Sequence, residues 1–312
     1  MSGIIALLFP GQGSQAAGMG KALAQQFPIA AQVFAEADAA VGFALSRLCF
    51  EGPEDDLKLT TNAQPAIIAT SIAALRVLQQ ETSVQPTYVA GHSLGEYSAL
   101  VAAGVLTLAD AVRVVRERGR LMQEAVPVGI GAMAALFNLS SEDVASVCAE
   151  AAQGEIVSPA NLNGGGQIVI AGHASAVRRA VAGAKARGAK RAVELAVSAP
   201  FHCALMQPAA DGLAKVLESV TVHPPNAQVI ANVTAEVNAD PQRVKDLLIQ
   251  QVTSPVRWEE SMQKLQSLGC TATIEVGPGR VLAGLLKRIM PDLPCVSVSD
   301  PATLGEARGI WG

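Results

Sequence analysis

The chain has 312 residues, half of them hydrophobic and 16% charged, with a formal net charge of −4. That length supports a substantial core, and the apolar, low-charge composition excludes a disordered chain. The acidic balance leaves no electrostatic footprint for nucleic acid. No apolar run reaches the roughly 18 residues that span a membrane, and the N-terminus shows no basic region followed by a cleavage site. The five cysteines, Cys49, Cys148, Cys203, Cys270 and Cys295, lie far apart and share no metal-ligand spacing with the four histidines. Reduced thiols in a soluble cytoplasmic protein without a metal are therefore expected.

Ile4 to Phe9 is a continuous apolar run of strand length, stopped by Pro10-Gly11. It reads as a parallel strand buried on both faces. The loop after it, Pro10-Gly11-Gln12-Gly13-Ser14-Gln15, matches neither a phosphate loop nor a dinucleotide fingerprint. It is a turn whose backbone can approach a ligand, or simply a surface turn. Residues 21–41 and 64–80 read as helices. In the second, Asn62 is placed to cap and Pro65 to occupy the first turn, where its missing N–H is harmless.

Tyr88 to Ala90 reads as the end of a buried strand, followed by Gly91-His92-Ser93-Leu94-Gly95. Leu94, Tyr97, Leu100 and Val101 then recur at helical spacing. Strand, tight turn and helix are the context in which Gly-x-Ser-x-Gly presents a nucleophile. Ser93 would stand at the head of a helix, where free backbone N–H groups favour a developing negative charge. The alternative is a turn that merely joins a strand to a helix.

Thr107, with Asp110 three residues on, opens the next helix. At about 100° per residue, Leu108, Ala111, Val115 and Met122 share a sector of about 60°, and Arg118 falls at its edge. Arg113, Arg116 and Arg120 lie on other faces and read as solvated charges. An arginine aimed at the core needs an anion to offset its desolvation. Arg118 either pairs with an internal carboxylate or holds an anionic group of a ligand.

After Pro127 the pattern changes. Gly131 to Leu139 reads as a strand, and Ser140-Ser141 as the cap of a helix to about Ala152. Ile156 to Leu162 and Gln167 to Ala171 read as strands joined by an Asn163-Gly164-Gly165-Gly166 hairpin. Ala174 to Arg187 is a helix ended by Gly188, and Arg191 to Val197 alternates as a strand with one wet face. This β-α-β-β-α-β order is ferredoxin-like. Pro200 then leaves His202 on a loop or at the start of a helix spanning Met206 to Leu217. Val229 to Val233, Thr273 to Val276 and Cys295 to Val298 read as strands returning to the first sheet. The segment Gln250 to Trp258 joins two helices, and Gly277-Pro278-Gly279 leads into a helix from Val281 to Ile289. Pro301 to Gly312 reads as a loosely held tail.

The expected fold is α/β. An α/β-hydrolase-like catalytic domain with a mostly parallel sheet spans residues 1–127 and 199–312. A ferredoxin-like subdomain, residues 128–198, is inserted into it.

Ser93 needs a base. His92 is adjacent and points away, His173 follows a strand of the insert, and His223 sits beside Pro224-Pro225. His202 lies where the insert rejoins the main sheet, and such junctions form ligand clefts. Ser93 and His202 are therefore the candidate nucleophile and base. Asp211, Asp246 and Glu275 are candidates for a third member. A backbone carbonyl would serve as well, because the requirement is a fixed tautomer.

Gly-Gln-Gly-Ser-Gln, Gly-His-Ser-Leu-Gly-Glu-Tyr-Ser, Arg118-Gly119, Pro-Phe-His and Glu-Val-Gly-Pro-Gly occur in one order between about residues 4 and 298. With these motifs the chain closely resembles the malonyl-CoA:acyl-carrier-protein transacylases, the acyltransferases of bacterial fatty-acid synthesis. The resemblance implies transfer of malonyl from malonyl-CoA to Ser93 and then to the phosphopantetheine thiol of acyl carrier protein. It implies His202 as base, oriented by the main-chain carbonyl of Gln251, and an oxyanion hole from the N–H groups of Gln12 and Leu94. Arg118 would hold the malonyl carboxylate, His92 would support the nucleophile, and Phe201 would crowd a methyl-branched substrate. Lys190 and Arg191 are candidates for docking the acidic carrier. No metal or redox cofactor is implied. A serine esterase using the same elbow and an inactive carrier-binding domain are the competing functions.

Overall fold

The run from Ile4 to Phe9 forms β1, whose residues from Ala6 onward are fully buried. In a computed structural model that describes residues 3–197 and 199–311, this strand lies inside a six-stranded sheet. Parallel neighbours flank it on both sides: β2 (Tyr88–Gly91) and a later strand, Cys270–Val276. Phe9 is in register with Gly91, so the loops leaving these two strands emerge side by side. In open parallel sheets that carboxyl edge is where ligands sit.

Between β1 and β2 run five helices: α1 (Lys21–Gln26), α2 (Pro28–Val41), α3 (Leu45–Glu51), α4 (Glu54–Lys58) and α5 (Thr60–Glu81). The last differs from the sequence reading. It starts at Thr60, four residues early, so Pro65 lies inside it. Asn62 does not cap it; its Nδ2 donates to the Asp56 carbonyl at 2.9 Å. After β2 come α6 (Gly95–Ala102) and α7 (Leu108–Glu124), the latter capped by Thr107 Oγ1, which accepts from the Asp110 N–H. A Cβ on Gly119 would lie 2.7 Å from the Thr60 carbonyl oxygen, so only glycine lets α7 approach the start of α5 this closely. That contact turns the neighbouring Arg118 inward. Arg116 is not the solvated charge expected: it is half-buried, with its guanidinium 4.3 Å from the centre of the Phe43 ring.

Residues 131–194 build a second, antiparallel sheet. Its elements are β3 (Gly131–Phe137), α8 (Ser141–Ala152), β4 (Val157–Gly164), β5 (Gln167–His173), α9 (Ala174–Ala186) and β6 (Arg191–Glu194), in the spatial order β4-β5-β3-β6. Gly165 and Gly166 take φ values of 58° and 74° in the β4–β5 turn, the primed geometry that suits a tight hairpin. The expected strand to Val197 stops at Glu194. The Val197 N–H bonds to Leu195 O instead of a neighbouring strand, so the chain turns away. The predicted junction at 198–199 includes Ser198, which lies outside the described residues.

The chain then re-enters the first sheet. A short 3₁₀ turn and α10 (Gln207–Glu218) lead to β7 (Gln228–Ile230), parallel to β2, and β8 (Val237–Asn238), a short antiparallel edge that the sequence reading lacked. Next come α11 (Gln242–Thr253), α12 (Trp258–Ser267), β9 (Cys270–Val276), α13 (Val281–Ile289), β10 (Cys295–Val298) and α14 (Pro301–Trp311). The sheet order is β10-β9-β1-β2-β7-β8. The last helix corrects the expectation of a loose tail. Asp300 Oδ1 accepts from the Thr303 N–H at 2.8 Å, Leu304 and Ala307 are buried, and Arg308 pairs with Glu81. Val256, on the loop between α11 and α12, pairs with β4: its N–H donates to Ala160 O, and its carbonyl accepts from Leu162 N, each at 2.9 Å. These bonds hold β4 against that loop and fix one wall of the cleft between the two sheets.

Candidate active site

The turn after β2 is an elbow built on close approach. A Cβ on Gly91 would fall 1.9 Å from the Gly95 carbonyl, and one on Gly95 would fall 2.0 Å from Phe9 O. Ser93, at its apex, has φ 51°, a left-handed conformation that an L-residue holds only when its surroundings enforce it. Asn232, just beyond β7, supplies that force. Its Oδ1 accepts from the Ser93 N–H, and its Nδ2 donates to Gly91 O, both at 2.7 Å. Nothing in the sequence singled out Asn232; only the folded register of β7 beside β2 brings it under the elbow.

Ser93 Oγ lies 2.7 Å from His202 Nε2, and His202 Nδ1 lies 2.8 Å from Gln251 O. A carbonyl only accepts, so Nδ1 carries the proton and Nε2 presents its lone pair to the hydroxyl. Burial, reinforced by the nearby charge of Arg118, lowers the His202 pKa to about 3, so the ring is neutral at ordinary pH. The three carboxylates considered as third members are elsewhere. Asp211 accepts from Gln207, Asp246 is exposed, and Glu275 caps the start of α13 through the N–H groups of Leu282 and Ala283.

Arg118 is 2% exposed and forms no ion pair among the described residues. Its Nη1 donates to Gln64 Oε1 at 2.8 Å, and its Nη2 to Gln251 Oε1 at 2.9 Å and to Ser93 Oγ at 3.2 Å. Neutral amides thus hold the guanidinium while leaving its charge uncompensated by direct contact. Of the two partners left open for Arg118, an internal carboxylate is not in contact with it.

The cavity in front of Ser93 has a volume of about 430 Å³. Gln12, His92, Leu94, Arg118, Phe201 and His202 all line it, and so do Leu195, Ala196 and Val197, the residues that leave the second sheet early. The N–H groups of Gln12 and Leu94 have no hydrogen-bond acceptor among the described residues. His92 is turned away from Ser93: its Nε2 lies 2.8 Å from Asn163 Oδ1 on β4, and its ring packs 5.5 Å from Trp258. Burial lowers its pKa as well. It ties the elbow to the second sheet.

A second cavity of about 730 Å³ adjoins the first, with Gln12, His92, Asn161 and Leu195 common to both. Arg191, Arg280 and Arg288 line it, whereas the exposed Lys190 does not. Nothing local in the sequence brings Arg280 and Arg288 to this cavity; only the fold sets α13 against β4 and the β4–β5 turn.

A mostly parallel α/β sheet with a serine–histidine pair at a strand–helix elbow defines the serine acyl-transfer class. A family model described as the acyl transferase domain matches residues 6–300. The "Malonyl CoA-acyl carrier protein transacylase" of Salmonella typhimurium is 48% identical over 302 residues, 97% of this chain and 98% of that protein. The Bacillus subtilis protein of the same name is 50% identical over 301 residues, 96% of this chain and 95% of that one. The chain belongs to the malonyl CoA-acyl carrier protein transacylase family. The solved structure of an acyl carrier protein S-malonyltransferase from Vibrio cholerae superposes with a TM-score of 0.95 at 51% identity, covering 97% of this chain and 99% of that chain. A malonyl-transacylase solved in complex with a type II polyketide-synthase acyl-carrier protein gives 0.96 at 48% identity, covering 98% and 99%.

Proposed function

We propose that this protein is an [acyl-carrier-protein] S-malonyltransferase, moving malonyl from coenzyme A through a Ser93 ester to the phosphopantetheine thiol of acyl carrier protein. The observation that carries the substrate assignment is Arg118: a buried guanidinium 3.2 Å from the nucleophile with no carboxylate in contact among the described residues. An acyl group bearing its own carboxylate supplies the missing anion by charge-assisted hydrogen bonds.

In the first half-reaction Ser93 Oγ attacks the thioester carbonyl carbon while its proton passes to His202 Nε2. The N–H groups of Gln12 and Leu94 take the oxyanion that forms. The C–S bond then breaks, and the departing coenzyme A sulfur takes the proton from His202, leaving the malonyl ester. In the second half, His202 accepts the proton of the carrier thiol, the sulfur attacks the ester carbonyl, and Ser93 Oγ leaves with the proton returned. The Gln251 carbonyl keeps His202 in the tautomer both halves need.

The chemistry is complete with groups of the chain and its two substrates, so no cofactor is assigned. Arg191, with Arg280 and Arg288 across the adjoining cavity, is the side we assign to the acidic carrier and the phosphates of coenzyme A, with Lys190 outside it. Residues 128–198 act as an inserted wall of the cleft, and residues 1–127 and 199–312 as the catalytic unit. No helix among the described residues is long and apolar enough to cross a membrane. A cytoplasmic role in fatty-acid biosynthesis fits a donor and an acceptor that are both soluble.

Intact-mass measurement after incubation with malonyl-CoA tests the assignment. A malonyl adduct on the wild type, absent from Ser93→Ala and discharged by holo carrier protein, is expected. Release of free malonate without a carrier would make the protein a hydrolase. No adduct at all would leave a carrier-binding domain.

A further inference from the structure

Glu96, on α6, is 3% exposed and lies beneath the nucleophile turn. An acid in the first turn of a helix commonly serves the helix dipole, but this carboxylate is engaged elsewhere. Its Oε2 accepts from Gln251 Nε2 at 2.6 Å and from the Asn232 N–H at 3.2 Å, residues of two other segments. The Gln251 amide stands between unlike neighbours. On one side its Oε1 faces the Arg118 guanidinium, a pure donor, at 2.9 Å; on the other its Nε2 faces the Glu96 carboxylate and the Ser93 carbonyl, both pure acceptors. The chain Glu96–Gln251–Arg118 therefore runs from a buried carboxyl through one amide to the buried cation.

We propose that Glu96 is a positioning residue for substrate selection, holding the Gln251 amide from behind so that Arg118 is presented to the malonyl carboxylate. It touches no substrate and acts only through Gln251 and Arg118. Its bond to Gln251 is short, 2.6 Å, and Gln251 shares its side chain with no other carboxyl group among the described residues. This inference rests on the malonyl reading of the site. Burial pushes the Glu96 carboxyl up to about 7, opposed by its bonds from Gln251 and Asn232 and by the charge of Arg118, so the group titrates near neutral pH. Buried carboxyls perturbed by desolvation and by a nearby charge cluster at functional sites.

The test compares malonyl and acetyl loading of Ser93 in the wild type, Glu96→Gln and Glu96→Met. Glu96→Met removes the acceptor at similar volume, whereas Glu96→Gln keeps an acceptor and removes the charge. Expected for Glu96→Met is a malonyl kcat/KM lower by about ten-fold or more, arising chiefly in KM, with acetyl loading changed by less than about three-fold. Glu96→Gln should recover part of the malonyl preference. Equal losses for both acyl groups, or no loss for malonyl, would overturn the proposal. If Glu96→Met shows no cooperative unfolding transition, Gln251→Met probes the same relay from its centre, and retention of wild-type malonyl preference there would overturn it. Failure of the wild type itself to load malonyl would overturn the functional reading along with this one.

Discussion

Ser93 and His202, whose side chains meet at 2.7 Å, both hold left-handed backbone conformations, with φ values of 51° and 61°. Neither is glycine, so the fold bears strain at each end of this one hydrogen bond. At Ser93 the opposing force is visible in the Asn232 clamp across the elbow. Ser93→Gly and Ser93→Ala both delete the hydroxyl, but only glycine relieves the backbone. Ser93→Gly should therefore be more stable than Ser93→Ala by about 1 kcal/mol, read as the difference in urea unfolding free energy. Neither should form an acyl adduct. Equal stability would mean that the elbow is unstrained.

Stability near the site should depend on pH in two opposite senses. Burial raises the Glu96 carboxyl from 4.5 to about 7, so its contribution is fully present below pH 4.5 and is lost as pH rises through about 7. Glu96→Gln has nothing to ionise. Its stability relative to wild type should improve between pH 5 and pH 8 by on the order of 3 kcal/mol, even as malonyl selection falls. His202 runs the other way: burial lowers it from 6.5 to about 3, so its contribution is present above pH 6.5 and lost as pH falls toward 3. Urea unfolding of wild type and Glu96→Gln at pH 5 and 8 checks the first sense. A difference that does not grow with pH would place the carboxyl in a less costly setting.

The parts of this molecule written in local pattern were legible, and those made by distant contacts were not. The Ile4–Phe9 run, the Gly-x-Ser-x-Gly turn and the Thr107 cap declare themselves within a few residues. Arg118 showed itself because a charge on an apolar helical stripe contradicts its surroundings. Gln64, Glu96 and Asn232 gave no such contradiction. A glutamine or a first-turn glutamate fits any helix, and its function arises only where α5, α6 and the loop after β7 converge. The final helix was missed for a different reason. Asp300 followed by Pro301 and Thr303 is a helix-start signature, but Gly305 and Gly309 dilute the periodic pattern after it.

On the proposed reading, Arg118 is what separates a malonyl enzyme from a general acyltransferase. Arg118→Ala should lower malonyl loading by on the order of 100-fold, the worth of a buried charge-assisted pair, while acetyl loading changes only a few-fold. Arg118→Lys should fall between the two. An ammonium cannot hold Gln64 and Gln251 in the planar fork that places the donors now aimed at Ser93. Rapid-quench loading with each coenzyme A ester gives the comparison. Equal loss for both esters would make Arg118 a structural residue.

Phe201 is placed to limit the size of the acyl group. Its ring is 9% exposed and lines the cavity of about 430 Å³ beside His202, with Met133 and Leu195 also in the wall. If Arg118 holds the carboxylate and Ser93 the carbonyl, as proposed, a methyl branch next to the malonyl carboxylate has to occupy space on that wall. Discrimination of one methyl group in an apolar pocket is worth about 1–3 kcal/mol. Phe201→Ala should therefore shift the methylmalonyl-to-malonyl loading ratio upward by about ten-fold or more, measured by intact mass with the two esters in competition. The same change leaves a cavity, and roughly 3 kcal/mol of stability should go with it, so Phe201→Leu is the gentler probe and should move the ratio in the same direction by less. An unchanged ratio in both variants would mean that the methyl group is excluded by other lining residues such as Met133 or Leu195, and not by Phe201.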